Sequence, residues 1–145
     1  MSLFASLSVS ASGMAAQRTR TELLVENLAN AETTRTPEGG PYRRKDVVFA
    51  SGPASPSFSS LMAEQLGEVP SGVRVADVTV DTREPERRYL PGHPDADADG
   101  YVAFPRINPA EDMVDLMSAS RSYQANVAAM SAVKDMIQRS VDLLR

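Results

Sequence analysis

Residues 109–144 read PAEDMVDLMSASRSYQANVAAMSAVKDMIQRSVDLL, and the spacing of their apolar side chains decides the fold. Met113, Leu116, Tyr123, Val127, Met130, Ile137, Val141 and Leu144 fall at alternating intervals of three and four, interrupted only by Ser120 and Lys134. This pattern marks one helical face sustained over about five heptads. Pro109 suits the first helical turn, Asn108 is placed to cap it, and Glu111 and Asp112 match the positive end of the helix dipole. At 1.5 Å per residue the helix is expected to run roughly 50 Å. A rod with one apolar seam needs a partner along its length.

The other terminus carries a weaker helix. From Leu3 to Asn30, Leu3, Leu7, Met14, Leu24 and Leu28 recur at helical spacing, but polar residues from Gln17 to Thr21 interrupt the stripe. Gly13 costs about 1 kcal/mol relative to alanine in a helix interior. Alone this helix is marginal, so the two apolar seams are expected to be buried against each other or against neighbouring subunits.

Between the helices, Pro, Gly and Ser concentrate and the pattern becomes extended. Tyr42–Phe49 and Gly72–Asp81 read as strands, the second changing its alternation between Val73, Val75 and Val78, Val80 as a bulge requires. Glu86–Leu90 and Tyr101–Phe104 flank a turn, PGHPDADADG at 91–100, and predict a hairpin. Ser51–Ser60 has the composition of a mobile loop, with a short helical turn expected at Leu61–Leu66. The fold class is therefore mainly α with a small β-rich insert. Residues 1–35 and 106–145 form one discontinuous helical domain; residues 36–105 form the insert, with a mobile loop near 51–70.

The acidic turn invites a metal reading. Asp95, Asp97 and Asp99 followed by Gly100 copy the first half of a calcium loop. The twelfth position counted from Asp95, where a bidentate glutamate belongs, is Arg106, and a strand follows where a helix should. A solvated structural turn is the preferred reading, with calcium the alternative. His93, the chain's sole histidine, has no cysteine or second histidine to complete a transition-metal set. No catalytic or metal residue is assigned, and no cofactor is expected.

Composition narrows the classes further. The 145 residues hold 15 Lys and Arg against 19 Asp and Glu, a net charge of -4, which disfavours nucleic acid as a partner. There is no cysteine, hence no disulfide and no thiol nucleophile. One turn-borne histidine cannot activate serines scattered over loops and helix surfaces, and Gly39-Gly40 is followed by Pro41, which lacks the amide a phosphate cradle needs. Neither an enzyme nor a small-molecule binder is indicated. Met113, Met117, Met130 and Met136 serve as adaptable packing, and Tyr123 buries its ring in the seam. Arg18, Arg20, Arg121 and Arg139 are either interface cations or solvated. No apolar run reaches the roughly 20 residues of a membrane span, and the first residues do not read as a cleaved leader.

Several stretches carry a family resemblance. Ala15-Ala-Gln17-Arg18, then Glu26-Asn27-Leu28-Ala29-Asn30-Ala31 and Thr33-Thr34, resemble the N-terminal signature of the bacterial flagellar rod, hook and hook-associated axial family. Gly39–Arg44 leading into Val47–Phe49, then Gly92-His93-Pro-Asp95-Ala-Asp97-Ala-Asp99-Gly100-Tyr-Val102, and Met117–Val127 with Tyr123, Gln124 and Asn126, are similar to its proximal rod subunits. The resemblance implies terminal helices packed as an antiparallel coiled coil, with the small β domain outside. It also implies export by the flagellar type III apparatus without leader cleavage, helices that order on assembly, and residence in the periplasmic rod of the basal body. The implied partners are copies of the chain, other proximal and distal rod proteins, and the MS ring with its rod adaptor. The implied function is a polymerising structural subunit that transmits motor torque. A different proximal rod subunit and a secreted coiled-coil assembly protein are the alternatives.

Overall fold

The computed structural model describes residues 3–52, 62 and 72–143. In chain order these form helix α1 (Leu3–Ala29), strands β1 (Lys45–Gly52), β2 (Gly72–Val80), β3 (Glu86–Tyr89) and β4 (Tyr101–Phe104), and helix α2 (Pro109–Asp142). The expected turn at 61–66 and the expected loop near 51–70 lie outside the described residues, except that Ser51 and Gly52 complete β1 and Met62 is helical. Leu144 also lies outside them.

The two helices, of 27 and 34 residues, pack side by side. Their direction follows from two cross-contacts. Gly13 faces Asn126, while Arg20 Nη2 lies 3.4 Å from Asp115 Oδ2, so α2 numbering falls as α1 numbering rises and the pair is antiparallel. Ala16 on α1 and Ala119 on α2 are buried, and small side chains of this kind permit close approach. A Cβ added to Gly13 would sit 3.1 Å from Asn126 Nδ2, so the glycine opens room for the crossing residue. The α2 cap is the expected one: Asn108 Oδ1 accepts the Ala110 N–H at 3.1 Å.

β1 and β2 form an antiparallel pair lying on α1. Val48 faces Asp77 and Phe49 faces Val75, leaving Ala76 as the bulged residue between the two valine pairs. β1 starts at Lys45 rather than Tyr42, because residues 42–44 are committed to other partners. Near the far end of the pair, Ser12 Oγ accepts the Val73 N–H at 3.0 Å and donates to the Val9 carbonyl at 2.7 Å. Gly72 passes so close that an added Cβ would meet Ser12 Oγ at 2.5 Å.

β3 and β4 make the second antiparallel pair, Glu86 opposite Phe104 and Tyr89 opposite Tyr101. Val102 and Phe104 are buried. The Arg88 guanidinium lies 4.8 Å from the Phe104 ring centroid, and the His93 ring meets Phe104 edge-on at 6.4 Å. The chain leaves α1 and re-enters α2 at the same end of the helix pair. From that end the β1–β2 pair runs back along α1 from Asn27 to Ser12, while the turn of the β3–β4 hairpin docks on the segment that follows α1.

Candidate functional site

The groups that fix the insert to the helices gather where α1 ends and β1 begins. Asn27 is fully buried. Its Nδ2 donates to the Lys45 carbonyl at 2.8 Å and its Oδ1 accepts the Lys45 N–H at 3.0 Å, so the side-chain amide pairs with a strand residue much as a neighbouring strand would. Tyr42 Oη donates to the same Oδ1 at 3.0 Å, and Lys45 Nζ reaches back to Glu26. Burial, with Glu26 and Asp112 nearby, pushes the Tyr42 phenol up to about 12.

Arg44 spans the joint. Its guanidinium stands 3.0 Å from Asp112 Oδ1 at the start of α2 and 3.2 Å from Asp46. Asp112 is 1 % exposed, and neither carboxylate oxygen has a hydrogen bond of good alignment, Arg44 included. Burial pushes the Asp112 carboxyl up; Arg44 opposes this, while Asp46, Asp115 and Glu111 reinforce it. Residues 42–45 thus bind the end of one helix to the start of the other.

The acidic turn spends its carboxylates internally. Asp95 Oδ2 accepts the Thr34 hydroxyl at 2.8 Å, and its Oδ1 lies 3.6 Å from Arg35, which docks the turn on the segment following α1. Asp97 Oδ1 accepts the backbone N–H groups of Asp99 and Tyr101. Asp99 is exposed. His93 Nδ1 accepts the Asp95 N–H at 3.1 Å, and Gly100 adopts φ +80 with Tyr89 and Pro91 against it. Gly92 stands in open space. Among the described residues no three His, Asp or Glu groups converge as a metal set.

The signature residues of α1 cluster about its end. Leu28 and Gln17 are half-buried and Ala29 is exposed. Asn30 Nδ2 donates to the Glu26 carbonyl at 2.9 Å and its Oδ1 accepts from Thr33, closing the helix. On α2, Asn126 Nδ2 donates to the Ser122 carbonyl at 3.0 Å beside Gly13, and Gln124 is exposed; Tyr123, expected to bury its ring in the seam, is exposed as well, because it falls on the flank of α2 turned away from α1.

The seam residues divide between two adjacent rows of α2. The row against α1 consists of Asp112, Ala119, Asn126 and Val133, with Leu116, Met130 and Ile137 between them. One residue further on, Met113, Ser120, Val127, Lys134 and Val141 form a flanking row that faces outward. Val114 and Met117 widen that outer face. Leu24 is buried; Leu7, Met14 and Leu28 are half-buried; Leu3 and Phe4 are exposed at the far end. Periodicity found the stripe but not the division, because Ala119, Asn126 and the buried Asp112 do not register as apolar positions. Arg44, Tyr42 and Lys45 carry no local signal of this role, as their partners lie far away in sequence.

Comparison with known proteins agrees with this anatomy. The family described as flagellar basal body rod FlgEFG protein C-terminal matches residues 98–143, from the end of the acidic turn through α2. The chain is 43 % identical over 150 residues to the flagellar basal-body rod protein FlgC of Bacillus subtilis, covering 99 % of each. It is 40 % identical over 144 residues to FlgC of Salmonella typhimurium, covering 99 % of this chain and 98 % of that one. To FlgC of Borreliella burgdorferi it is 38 % identical over 157 residues, covering 100 % of this chain and 99 % of the other. With likeness of that degree running from end to end, the chain belongs to the FlgC family of flagellar basal-body rod proteins.

Proposed function

We propose that this structural subunit of the proximal rod polymerises helically with copies of itself and with other rod proteins, and that torque passes through the packed helices of neighbouring subunits. The observation that carries this reading is the outer row of α2. Met113, Met117, Val127 and Val141 are each more than two-fifths exposed along one flank of a long helix whose inner flank is already occupied. A monomer gains nothing from such a row; a neighbour's helix covers it. Head-to-tail contacts between unlike surfaces produce open helices, the geometry a shaft requires.

The finer assignments belong to the same proposal. The helix pair and the helices of its neighbours wind as a coiled coil, with the inner row of α2 against α1 and the outer row against the next subunit. Proximal contacts run to the MS ring and its rod adaptor. The subunit leaves the cell through the type III export apparatus and settles into its final order on assembly. Its role is mechanical rather than catalytic.

The test is Val127→Asp, expressed in a strain lacking the native subunit. The expectation is a stable, exported chain that is absent from purified basal bodies and does not restore swimming. Normal incorporation of this variant would overturn the assignment of the outer row.

A further inference from the structure

The β3–β4 hairpin is electrically lopsided. At its open end β3 begins with Glu86, Arg87 and Arg88, Arg83 and Glu84 lead into it in sequence, and Arg43, Asp81, Arg83 and Arg106 lie together beside it, an excess of arginine. Tyr42, Arg43, Arg44, Asp81, Arg83, Pro85, Pro105 and Arg106 line one small cleft there. Arg83 is spent on Asp81, at 2.6 Å, and Arg88 on Glu86, at 3.1 Å. Arg43 donates to the Asp81 carbonyl. The side chains of Arg87, Arg106 and Glu84 are exposed and hold no hydrogen bond or ion pair among the described residues, which leaves one uncompensated arginine, and Arg106 lies close enough to Asp81 and Glu86 to influence both.

The closed end of the hairpin has the opposite sign. Asp95, Asp97 and Asp99 stand there against Arg35. Asp95 and Asp97 are engaged, but the Asp99 side chain is exposed and has no partner among the described residues. Four-residue strands separate the two ends by roughly 13 Å, at about 3.3 Å per residue. The unpaired charges of one chain therefore lie at opposite ends of one rigid hairpin, too far apart to neutralise each other.

We infer that this hairpin is a copy-to-copy contact: the acidic turn around Asp99 of one subunit docks against the basic end of the hairpin, which carries Arg87 on one face and Arg106 on the other, of the next copy of this chain. The occupant is argued from charge complementarity within a single sequence, and the inference rests on the proposed rod polymerisation. Unlike ends meeting repeatedly give the heterologous contact an open helix needs. Rim charges of this kind add little affinity and act instead by excluding wrong registers. The hairpin would set the stagger of adjacent copies while the helix rows supply adhesion.

The test is a charge swap in the intact flagellum. Arg87→Glu, Arg106→Glu and Asp99→Arg are made singly, and Asp99→Arg is combined with each arginine variant. Exported levels and circular dichroism of the purified chains serve as controls for folding. The expected result is a loss of at least about threefold in subunit content of isolated basal bodies for the single variants, as for a reversed rim charge, with recovery in at least one double swap. Single variants at wild-type content overturn the contact, as do double swaps no better than the singles, which would place a different protein opposite this surface. If Val127→Asp also incorporates normally, the rod reading itself fails; if Val127→Asp is excluded while the swaps are silent, only the hairpin contact fails.

Discussion

The side-chain amide of Asn27 pairs with both backbone groups of Lys45, so the last turn of α1 contributes what amounts to a strand position beside the first residue of β1. Because Asn27 is fully buried, replacing it with alanine leaves the Lys45 N–H, its carbonyl and the Tyr42 hydroxyl short of partners. The expected cost is about 2–4 kcal/mol, read as a lowered urea midpoint with little change in slope. A midpoint within error of wild type would show that the insert is held in some other way.

Gly72 permits a second attachment. An alanine Cβ there would meet Ser12 Oγ at 2.5 Å, so Gly72→Ala must push α1 and β2 apart or turn Ser12 away from the Val73 N–H. A loss of about 1–3 kcal/mol is expected, typical of overpacking at a close approach. Adding Ser12→Gly should recover part of it, measured by thermal unfolding.

The two rows of α2 separate folding from assembly. Met130 lies half-buried in the row against α1, so Met130→Asp should unfold the isolated chain more readily, by about 2–4 kcal/mol. Val127 lies in the outer row, where Val127→Asp should change the stability of the monomer by less than about 1 kcal/mol. Equal melting losses for the two would mean that the rows are not distinct.

The joint should respond to pH in opposite directions at different sites. Asp112 has its carboxyl pushed up by burial, so the native chain takes up that proton before the unfolded chain does, and stability rises as pH falls toward the ordinary aspartate value of 3.8. The difference in melting temperature between wild type and Asp112→Asn should therefore grow in favour of wild type from pH 7 toward pH 4. Asp81, held down at about 2 chiefly by its hydrogen bonds with Arg83, acts the other way: its contribution is intact above 3.8 and lost as pH drops toward 2. Tyr42 contributes an alkaline limit, because a phenol raised from 10.0 to about 12 loses its stabilising effect between those values. Tyr42→Phe should flatten that last slope, and an unchanged slope would contradict the buried placement of the hydroxyl.

Much of the architecture is legible from local patterns. The Pro109 start, the Asn108 cap, the hairpin from Glu86 to Phe104 and the bulge between Val75 and Val78 each follow from chemistry within a few residues of the feature. What could not be read joins distant segments. Nothing near Arg44 announces Asp112, and nothing near Gly13 announces Asn126; a mid-helix glycine looks only like a propensity cost until the crossing side chain is seen. By sequence Asp112 is a favourable first-turn charge, yet it is buried, since Arg44, in the segment that anchors β1, lies against it. The placement of the outer row depends on which face α1 occupies, and a stripe of threes and fours does not encode that choice.

The insert departs from and returns to one end of the helix pair, and this makes it a cassette. β1 and β2 pack along α1, whereas the β3–β4 strands make no extensive contact with either helix, so the length of that hairpin can change without altering the helix pair. Variation in the hairpin can thus change what the subunit presents to its surroundings while the packing of the two helices stays the same.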